Sequence, residues 1–398
     1  MRGYLMNELS IERKDNELWM HLDGRIDSTN APKLEEESTA ATKDSNDLSI
    51  VIDAAKLEYI SSAGLRVLLH LRKQNPTLKV INVSPEVYEI FDMTGFNQMM
   101  TVEKAYRVVS IEGCDVIGKG ANGTLYRIDK DNVVKVYNNA DALDDIQHER
   151  EVARLALVLG IPTAISYDVV RVGESYGSVF ELLNASSFSK ILAKEPEKYD
   201  WCVQEFVKML KTIHSTQVPQ GKLPDIKETV NNWCNFVKDY IPEEYHNKLM
   251  KLVDEVPSDD HMLHGDYHTN NVELQNGEVI LIDMDTLAVG NPIFEIASMF
   301  NSFVGYGEYD HTIVDNFFGF SYEVAGKFFH DTIKAYLETD DEARVEEVIN
   351  KSKVIGYTRM IRRSIRRHGL ETEEKKAEIE LWKKHLLEKL DETDTLLF

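Results

Sequence analysis

The sequence has few cysteines and no long apolar run. Its 398 residues include only three cysteines, Cys114, Cys202 and Cys234. This odd and scattered set indicates free thiols in a reducing compartment, not a disulfide framework. No apolar run reaches the roughly 18 residues of a membrane span, and the first residues, MRGYLMNELS, lack the apolar core of a signal peptide. These absences predict a cytoplasmic protein without a membrane segment.

Positive charge is the scarcer of the two signs. The chain has 45 Lys and Arg against 68 Asp and Glu, a formal net charge of −23. This balance argues against a nucleic-acid partner, because binding to phosphate backbones depends on clustered positive charge. Arginines nevertheless cluster in the segment 359–367, RMIRRSIRR. Such a cluster contacts a phosphate or an anionic partner or, as is commoner, pairs with acidic residues of the same chain.

Residues 1–108 are predicted to form a separate α/β domain. Strand-like runs at 9–13, 18–22, 48–53 and 78–83 alternate with segments of helical pattern. Strands that alternate with helices indicate a mixed sheet with helical cover.

One stretch of this domain carries a family resemblance. The string IVIDAAKLEYISSAGLRVLL, followed by VSPEVYEIFDMTGF, resembles STAS domains, the fold of anti-sigma factor antagonists, over nearly all of residues 8–108. In that family a partner kinase phosphorylates a serine of a D-S-x-G motif at a helix N-terminus, which switches partner binding. The resemblance implies that Ser62 is this serine and that a protein partner binds here. Ser61 stands where the motif usually has Asp, so it is a second candidate hydroxyl, and either serine alternatively only caps the helix.

Further along the chain, three polar residues have a spacing that fits phosphoryl transfer from ATP. Asp266 and Asn271 stand five apart in HGDYHTNN, and the apolar run 279–282 then leads into Asp283. We expect Asp266 to orient the attacking hydroxyl, and Asn271 and Asp283 to bind the Mg²⁺ ions that neutralise the phosphates. The spacing matches the kinase catalytic signature, with HGD in place of HRD and DMD in place of DFG.

A glycine-rich turn and a lysine precede this stretch in the order that a kinase requires. Gly118, Gly120 and Gly123 lie between two strand-like runs, where their backbone would close over triphosphate oxygens without Cβ clashes. A dinucleotide-binding motif would instead continue into a helix. Lys135 lies in the apolar run NVVKVY, where a charge is costly unless it is paired. Its predicted partners are ATP phosphates and an acid of the next helix.

That acid is expected in a helix over 144–159, where Glu149 and Glu151 are the candidates. The segment HEREVARLALVLGIPT resembles the aminoglycoside and choline kinase pattern, and the resemblance favours Glu151, with Glu149 on a solvated face. The later run GSVFELLNASSF has the form of a kinase hinge. Its backbone near Glu181 and Leu183 is predicted to bind adenine.

Together these motifs resemble the aminoglycoside phosphotransferase and choline kinase superfamily over residues 112 to about 370. The resemblance implies an α+β bilobal protein kinase-like fold, with an N-lobe over 112–183 and a helical C-lobe over 184–398. It also implies an ATP- and Mg²⁺-dependent phosphotransferase. Only eleven residues separate Asp283 from Glu295, too few for the peptide-docking segment of protein kinases. The acceptor is then a hydroxyl of a small molecule, an aminoglycoside, amino alcohol or sugar, and the acidic composition favours a cationic one.

Other functions remain open at this point. In one, the kinase domain is a regulatory switch that phosphorylates Ser62 in cis or a separate STAS partner in trans. In another, the kinase lobe only senses nucleotide and binds ATP without transfer. Metal-hydrolase chemistry is a further alternative, because His264, Asp266 and His268 alternate as ligands of one ion would.

Overall fold

The computed structural model describes residues 9–43, 48–120, 122–140 and 142–398. The chain divides into two compact units, Met1–Ser110 with Val169–Glu174 and Ile111–Asp168 with Ser175–Phe398. Among the described residues, no helix combines the length and apolar character that crossing a membrane requires.

The strands and helices of the described residues are numbered in chain order. The strands are β1 (Ser10–Lys14), β2 (Glu17–Ile26), β3 (Ser49–Ile60), β4 (Lys79–Val83), β5 (Thr101–Lys104), β6 (Arg107–Val108), β7 (Asp115–Lys119), β8 (Gly123–Arg127), β9 (Asn132–Tyr137), β10 (Asp168–Val172), β11 (Ser175–Glu181), β12 (Ala185–Ser187), β13 (Met262–Leu263), β14 (Val272–Gln275), β15 (Glu278–Leu281) and β16 (Ala288–Val289). The helices are α1 (Ala31–Thr42), α2 (Ser62–Gln74), α3 (Pro85–Met93), α4 (Leu143–Val158), α5 (Phe188–Lys194), α6 (Tyr199–Ser215), α7 (Ile226–Val237), α8 (Glu243–Asp254), α9 (Pro292–Phe303), α10 (Thr312–Phe318), α11 (Tyr322–Leu337), α12 (Glu342–Arg366) and α13 (Glu373–Glu392).

The first unit is a mixed sheet covered by helices. The strands of this sheet follow the order β1-β2-β3-β4-β5, in which β1 pairs with β2 antiparallel and the other pairs are parallel. The consecutive residues Ile50, Val51 and Ile52 of β3 are all buried, as expected for a central strand with both faces covered. Helix α2 buries Leu65 and Leu68 in the same core. The predicted α/β architecture of this part is confirmed.

The second unit begins with an antiparallel sheet and a helix. Strands β11, β9, β8 and β7 are neighbours in that order. Strand β9 has two strand neighbours, and its Val133 and Val134 are buried. Helix α4 follows β9 and buries Val152 and Ala156. This arrangement places Lys135 of β9 beside α4.

The rest of the second unit is mainly helical and agrees with the predicted kinase-like fold. Helix α9 is buried along most of its length and packs against α12, which also contacts α7 and α13. Two small antiparallel sheets, β12-β14-β15 and β13-β16, lie among the helices. The loop between β13 and β14 carries the HGD sequence, so these short strands hold the predicted catalytic loop at both ends.

Candidate active site

One cavity of about 350 Å³ in the second unit brings together many of the predicted site residues. Gly120, Gly123, Lys135, Asn271 and Asp283 all line it. The hinge segment 181–183 forms part of the wall, and apolar side chains complete it: Ile117, Leu125, Val133, Phe180, Ile282 and Met284. The cavity therefore combines an apolar wall with a cluster of charged and amide groups, as small-molecule sites do.

The glycine-rich turn between β7 and β8 depends on one glycine more than on the others. A Cβ atom at Gly123 would lie 2.5 Å from the carbonyl oxygen of Val136, whereas at Gly118 the nearest atom would be 3.7 Å away. The Gly120 N–H donates to the Gly123 carbonyl at 2.9 Å, which closes the turn. Gly123 thus allows β8 to approach β9 closely at the edge of the cavity.

Lys135 pairs with Glu149, so the predicted pairing with Glu151 is wrong. The Lys135 Nζ lies 2.9 Å and 3.0 Å from the two carboxylate oxygens of Glu149, while Glu151 is exposed. Successive residues of an α-helix are rotated by about 100°, so residues two apart point in nearly opposite directions. Only Glu149 of the two faces β9, and Tyr137 of that strand also donates to it at 2.6 Å.

The environment of Lys135 favours its charged form. Burial lowers the pKa of this lysine, but the carboxylates of Glu149 and Asp283 outweigh that effect and raise the pKa above its ordinary value. The Asp283 Oδ1 lies 3.7 Å from Nζ. The cavity therefore contains a fixed positive charge between two acids.

A buried acid binds the backbone of the HGD loop, the predicted catalytic loop. Glu295 accepts hydrogen bonds from the backbone N–H groups of His264 and Gly265, and burial raises its pKa to about 7. Gly265 has a φ of +81°, and a Cβ atom there would lie 2.4 Å from the carbonyl oxygen of Thr286. The glycine of HGD is thus required by the close contact between this loop and the segment after β15.

Asp266 is a half-buried carboxylate that is ionised at neutral pH. Its Oδ2 lies 3.4 Å from the Nε2 of His268. Burial raises the pKa of Asp266, but the hydrogen bond from His268 and the charges of His268 and Arg359 outweigh this effect. The pKa of Asp266 is therefore held well below its usual range, so the group is ionised at neutral pH.

Asn271 and Asp283 are brought together by the hairpin of β14 and β15. Val272 pairs with Leu281 in this hairpin, and the Ile282 N–H donates to the Asn271 carbonyl at 3.1 Å. The Asn271 side-chain amide donates to the Asp266 carbonyl at 3.0 Å. Asp283 adopts a left-handed conformation with a φ of 60°, a strained backbone state that is common at functional sites.

Two parts of the chain match known protein families. Residues 114–340 match the model of the phosphotransferase enzyme family, and residues 8–109 match the model of the STAS domain. The chain belongs to the phosphotransferase enzyme family. Its N-terminal part is a STAS domain, as the sequence predicted.

Anti-sigma factor antagonists are similar in sequence to the STAS domain. The inferred anti-sigma factor antagonist BtrV of Bordetella bronchiseptica is 37% identical over 99 residues, which are 24% of this chain and 84% of BtrV. The anti-sigma-B factor antagonist of Bacillus subtilis is 26% identical over 98 residues, which are 24% of this chain and 88% of that protein.

Similar solved structures include aminoglycoside phosphotransferases. The ADP-bound enzyme APH(2'')-Ib is 14% identical, with a TM-score of 0.48, over 78% of this chain and 99% of its own. A thermostable variant of APH(4)-Ia with ADP and hygromycin B is 12% identical, with a TM-score of 0.49, over 77% of this chain and 98% of its own.

The candidate site contains a carboxylate that the sequence motifs did not indicate, that of Asp285. Asp285 accepts a hydrogen bond from the side chain of Asn122 in the glycine-rich turn, at 3.3 Å. Burial, together with the carboxylates of Asp283 and Glu149, raises its pKa to about 7. The sequence signal for Asp285 was the second Asp of IDMD, which stands two positions after Asp283.

Arg359 is a second site residue that the motifs did not reveal. Its Nη1 donates to the Ser298 Oγ at 2.7 Å and lies 3.5 Å from the Gly265 carbonyl oxygen. The expectation that the basic segment pairs with acids of the same chain is wrong for Arg362 and Arg363, because within the described residues neither forms a salt bridge. Arg359 forms no salt bridge within 4.0 Å either, but its charge acts on the carboxylate of Asp266. The sequence signal was the arginine cluster itself, but not the residues that it contacts.

The metal-hydrolase alternative does not fit the geometry of the HGD loop. The Nε2 of His264 lies 3.3 Å from the Ile282 carbonyl oxygen, and its Nδ1 accepts the Asp266 N–H at 3.4 Å. His264 is therefore bound to backbone on both sides. Within the described part of the chain, His264, Asp266 and His268 do not form a group of mutually close ligand atoms.

The two serines of the STAS domain differ in position. Ser61 is the N-cap of α2, and its hydroxyl accepts the Ala63 N–H at 3.3 Å. Ser62 is the first residue of the helix and is exposed. Ser61 therefore caps the helix, whereas Ser62 is open to solvent. Phosphorylation of Ser62 stays a prediction.

Proposed function

We propose that this protein transfers the γ-phosphate of ATP, in the presence of Mg²⁺, to a hydroxyl of a small molecule. The observation that carries this proposal is the convergence of predicted groups on one cavity. Lys135 with its partner Glu149, Asn271 and Asp283 line the cavity, and the ionised Asp266 lies on the adjoining catalytic loop. Phosphoryl transfer depends mainly on positioning and on electrostatic stabilisation, which these groups supply.

The nucleotide would occupy the cavity with its adenine against the apolar wall near the hinge. The triphosphate would then lie under the turn that contains Gly120 and Gly123, within reach of Lys135. The side-chain oxygens of Asn271 and Asp283 are hard donors that suit Mg²⁺, so they fit the predicted role of holding the ion. Mg²⁺ bound there would neutralise charge on the β- and γ-phosphates.

Asp266 would orient the hydroxyl of the acceptor. Its pKa lies well below the usual range of a carboxyl group, so it is a weak base in the resting protein. An early proton transfer to it is unfavourable. The role that fits is to accept a hydrogen bond from the hydroxyl and aim its oxygen at the γ-phosphorus, and to take the proton late.

The short connection after Asp283 supports a small acceptor. Only a 3-10 turn (Met284–Thr286), β16 and the first turn of α9 lie between Asp283 and the buried Glu295. Because Glu295 anchors the catalytic loop, this connection has no freedom to form a platform for an extended peptide. We therefore place the acceptor in the aminoglycoside, amino alcohol or sugar class.

A regulatory kinase is the second candidate. The exposed hydroxyl of Ser62 and the relationship of the first unit to anti-sigma factor antagonists favour it. In this version the phosphate goes to Ser62 or to a serine of a separate STAS protein, and the product is altered partner binding.

One experiment separates these functions. The full chain is incubated with Mg²⁺, γ-labelled ATP and a panel of sugars, amino alcohols and aminoglycosides. Label on a compound, with unlabelled protein, would support the proposal. Label on the protein that disappears in Ser62→Ala would support the regulatory kinase instead.

The same assay with Asp266→Asn tests the chemistry. We expect transfer to fall by about 10²- to 10⁴-fold, while nucleotide affinity is retained, because Asp266 does not line the nucleotide cavity. Asp239→Asn is the matched control, since Asp239 is exposed and just beyond α7. Full transfer by Asp266→Asn would refute the assignment.

A further inference from the structure

Four arginines of α12 form a stripe on one face of that helix. Arg359, Arg362, Arg363 and Arg366 are spaced i, i+3, i+4 and i+7, and residues at these intervals lie on the same side of an α-helix. We call these four residues the arginine stripe. At 1.5 Å per residue, it extends over about 10 Å along the helix axis.

Within the described residues, no member of the arginine stripe has a carboxylate oxygen within 4.0 Å, although the charge of Arg359 helps to lower the pKa of Asp266. None of its members forms a salt bridge, whereas Arg344, on the same helix, pairs with Glu347 at 2.7 Å. This is unexpected in a chain with 68 acidic residues and 45 basic ones. A protein with a net negative charge has many carboxylates that could neutralise four clustered cations. Within the described residues, none of them lies within 4.0 Å of these arginine nitrogens.

Aromatic rings of α7 stack against two of these arginines. The guanidinium carbon of Arg359 lies 5.3 Å from the ring centre of Trp233, and that of Arg362 lies 5.9 Å from the ring centre of Phe236. Such stacking positions a guanidinium group without neutralising it or using its N–H donors. Burial lowers the pKa of Arg362, and the charges of Arg366 and Arg359 lower it further. Arg359 and Arg363 donate from Nη1 to the hydroxyl groups of Ser298 and Tyr306, at 2.7 Å and 3.4 Å. These neutral partners leave the positive charges of the stripe to repel one another.

The arginine stripe begins at the catalytic loop. Arg359 hydrogen-bonds to Ser298 and lies 3.5 Å from the carbonyl oxygen of Gly265, the residue before Asp266. The Ser298 hydroxyl also donates to that carbonyl, at 2.8 Å. From this fixed end the stripe extends through Arg362 to the exposed Arg366. A molecule whose hydroxyl lies at Asp266 is therefore close to Arg359, and the other three arginines continue from Arg359 along α12.

We propose that the arginine stripe binds an anionic group, a phosphate or a carboxylate, of the acceptor whose hydroxyl Asp266 orients. Guanidinium groups match both anions with paired N–H donors, and the rings of Trp233 and Phe236 hold the forks in place. The acceptor is then an acidic alcohol, such as a sugar phosphate or a sugar acid. This conclusion rests on the proposed function, and it replaces the cationic acceptor that the overall composition favoured, since the charge next to Asp266 is positive.

The test uses acceptors that differ in charge alone. The full chain is assayed with a sugar, its phosphate ester, its acid and an amino alcohol, with ATP and Mg²⁺. The variant is the double substitution Arg362→Gln and Arg366→Gln, which leaves Arg359 and the catalytic loop unchanged. Arg344→Gln is the matched control on the same helix.

We expect wild-type protein to phosphorylate a sugar phosphate or sugar acid in preference to the uncharged and cationic compounds. The double variant should raise the KM for that acceptor by about tenfold or more, because each lost charge-assisted contact weakens binding. Its kcat should change by less than about twofold, since uniform binding is lost but the chemistry is not. Arg344→Gln should match wild type.

The outcomes distinguish this inference from the proposed function. Transfer to an amino alcohol or aminoglycoside that is unaffected in the double variant would overturn the inference and leave the phosphotransferase standing. If no compound is labelled, calorimetry with sugar phosphates and inorganic phosphate, with the nucleotide site filled by a non-hydrolysable ATP analogue, decides the matter. If these anions bind the wild type and not the double variant, the arginine stripe is supported although the proposed function fails. If they do not bind the wild type, the inference is overturned.

Discussion

Replacement of Glu149 by Gln is expected to weaken the binding of Mg²⁺-ATP. The Lys135 Nζ lies 2.9 Å from one oxygen of Glu149, and both side chains are only 13% exposed. Gln is nearly the same size and can still accept hydrogen bonds from Lys135 and Tyr137, so the main change is the loss of one negative charge. Lys135 would then be drawn to Asp283, which is 3.7 Å away, and would compete there with Mg²⁺.

The size of the effect follows from the burial of the pair. Removal of one partner of a buried ion pair costs about 3–5 kcal/mol. The carboxylate of Asp283 compensates part of this loss for Lys135, so we expect roughly 1.5–3 kcal/mol in nucleotide binding. This corresponds to an increase of about 10- to 100-fold in the Kd for Mg²⁺-ATP, and the Mg²⁺ concentration required for binding should also rise.

Calorimetric titration of Mg²⁺-ATP measures this change without knowledge of the acceptor. Glu151→Gln is the matched control, because Glu151 is an exposed residue of the same helix and its loss should leave the Kd unchanged. Thermal melts of both variants check that the fold is intact. The reasoning would be refuted by a normal Kd in Glu149→Gln, or by a larger loss in Glu151→Gln than in Glu149→Gln.

Three further predictions concern the turn, the buried acid and the helix cap. Gly123→Ala would place a Cβ atom 2.5 Å from a carbonyl oxygen, whereas at Gly118 the nearest atom is 3.7 Å away. Thermal melts and ATP titrations should therefore show a loss of about 1–3 kcal/mol in stability for Gly123→Ala but not for Gly118→Ala. Equal stability of the two variants would contradict this. Burial raises the pKa of Glu295 from its ordinary 4.5 to about 7, so its stabilising contribution is present below 4.5 and is lost as the pH rises through 7. The difference in unfolding free energy between wild type and Glu295→Gln should therefore fall by roughly 3 kcal/mol over this range, and a flat difference in denaturant titrations would argue against it. Ser61→Ala should destabilise the STAS domain by about 1 kcal/mol through loss of the cap, while Ser62→Ala should not, and the reverse order in chemical denaturation would show that the cap is misassigned.

The parts of the site that the sequence predicted well depend on neighbours in the chain. Asn271 and Asp283 lie at the two ends of a short hairpin, so their proximity follows from the pairing of β14 with β15. The glycine-rich turn likewise joins two strands that are adjacent in the chain, β7 and β8. The STAS domain was recognisable because its strands and helices alternate along a continuous stretch of about 100 residues.

Other features depended on rotation about a helix axis or on contacts between distant segments. Both Glu149 and Glu151 of α4 were candidates for the partner of Lys135. Only the packing of the helix shows that Glu149 is the one that faces Lys135 and Tyr137 of β9. The pKa of Asp285 depends on how closely Asp283 and Glu149 approach it, which neither residue's neighbours in the chain reveal.

By itself the sequence determined that this chain combines a STAS domain with a member of the phosphotransferase enzyme family, because each family motif is formed by residues close together in the chain. Only the tertiary structure decided which acid holds Lys135 and what surrounds the arginines. Arg359 and Gly265 are 94 positions apart, and a net charge of −23 is an average over the whole surface. Local charge at a site is set by which helices pack beside it, and α12 brings Arg359 to the loop that carries Asp266.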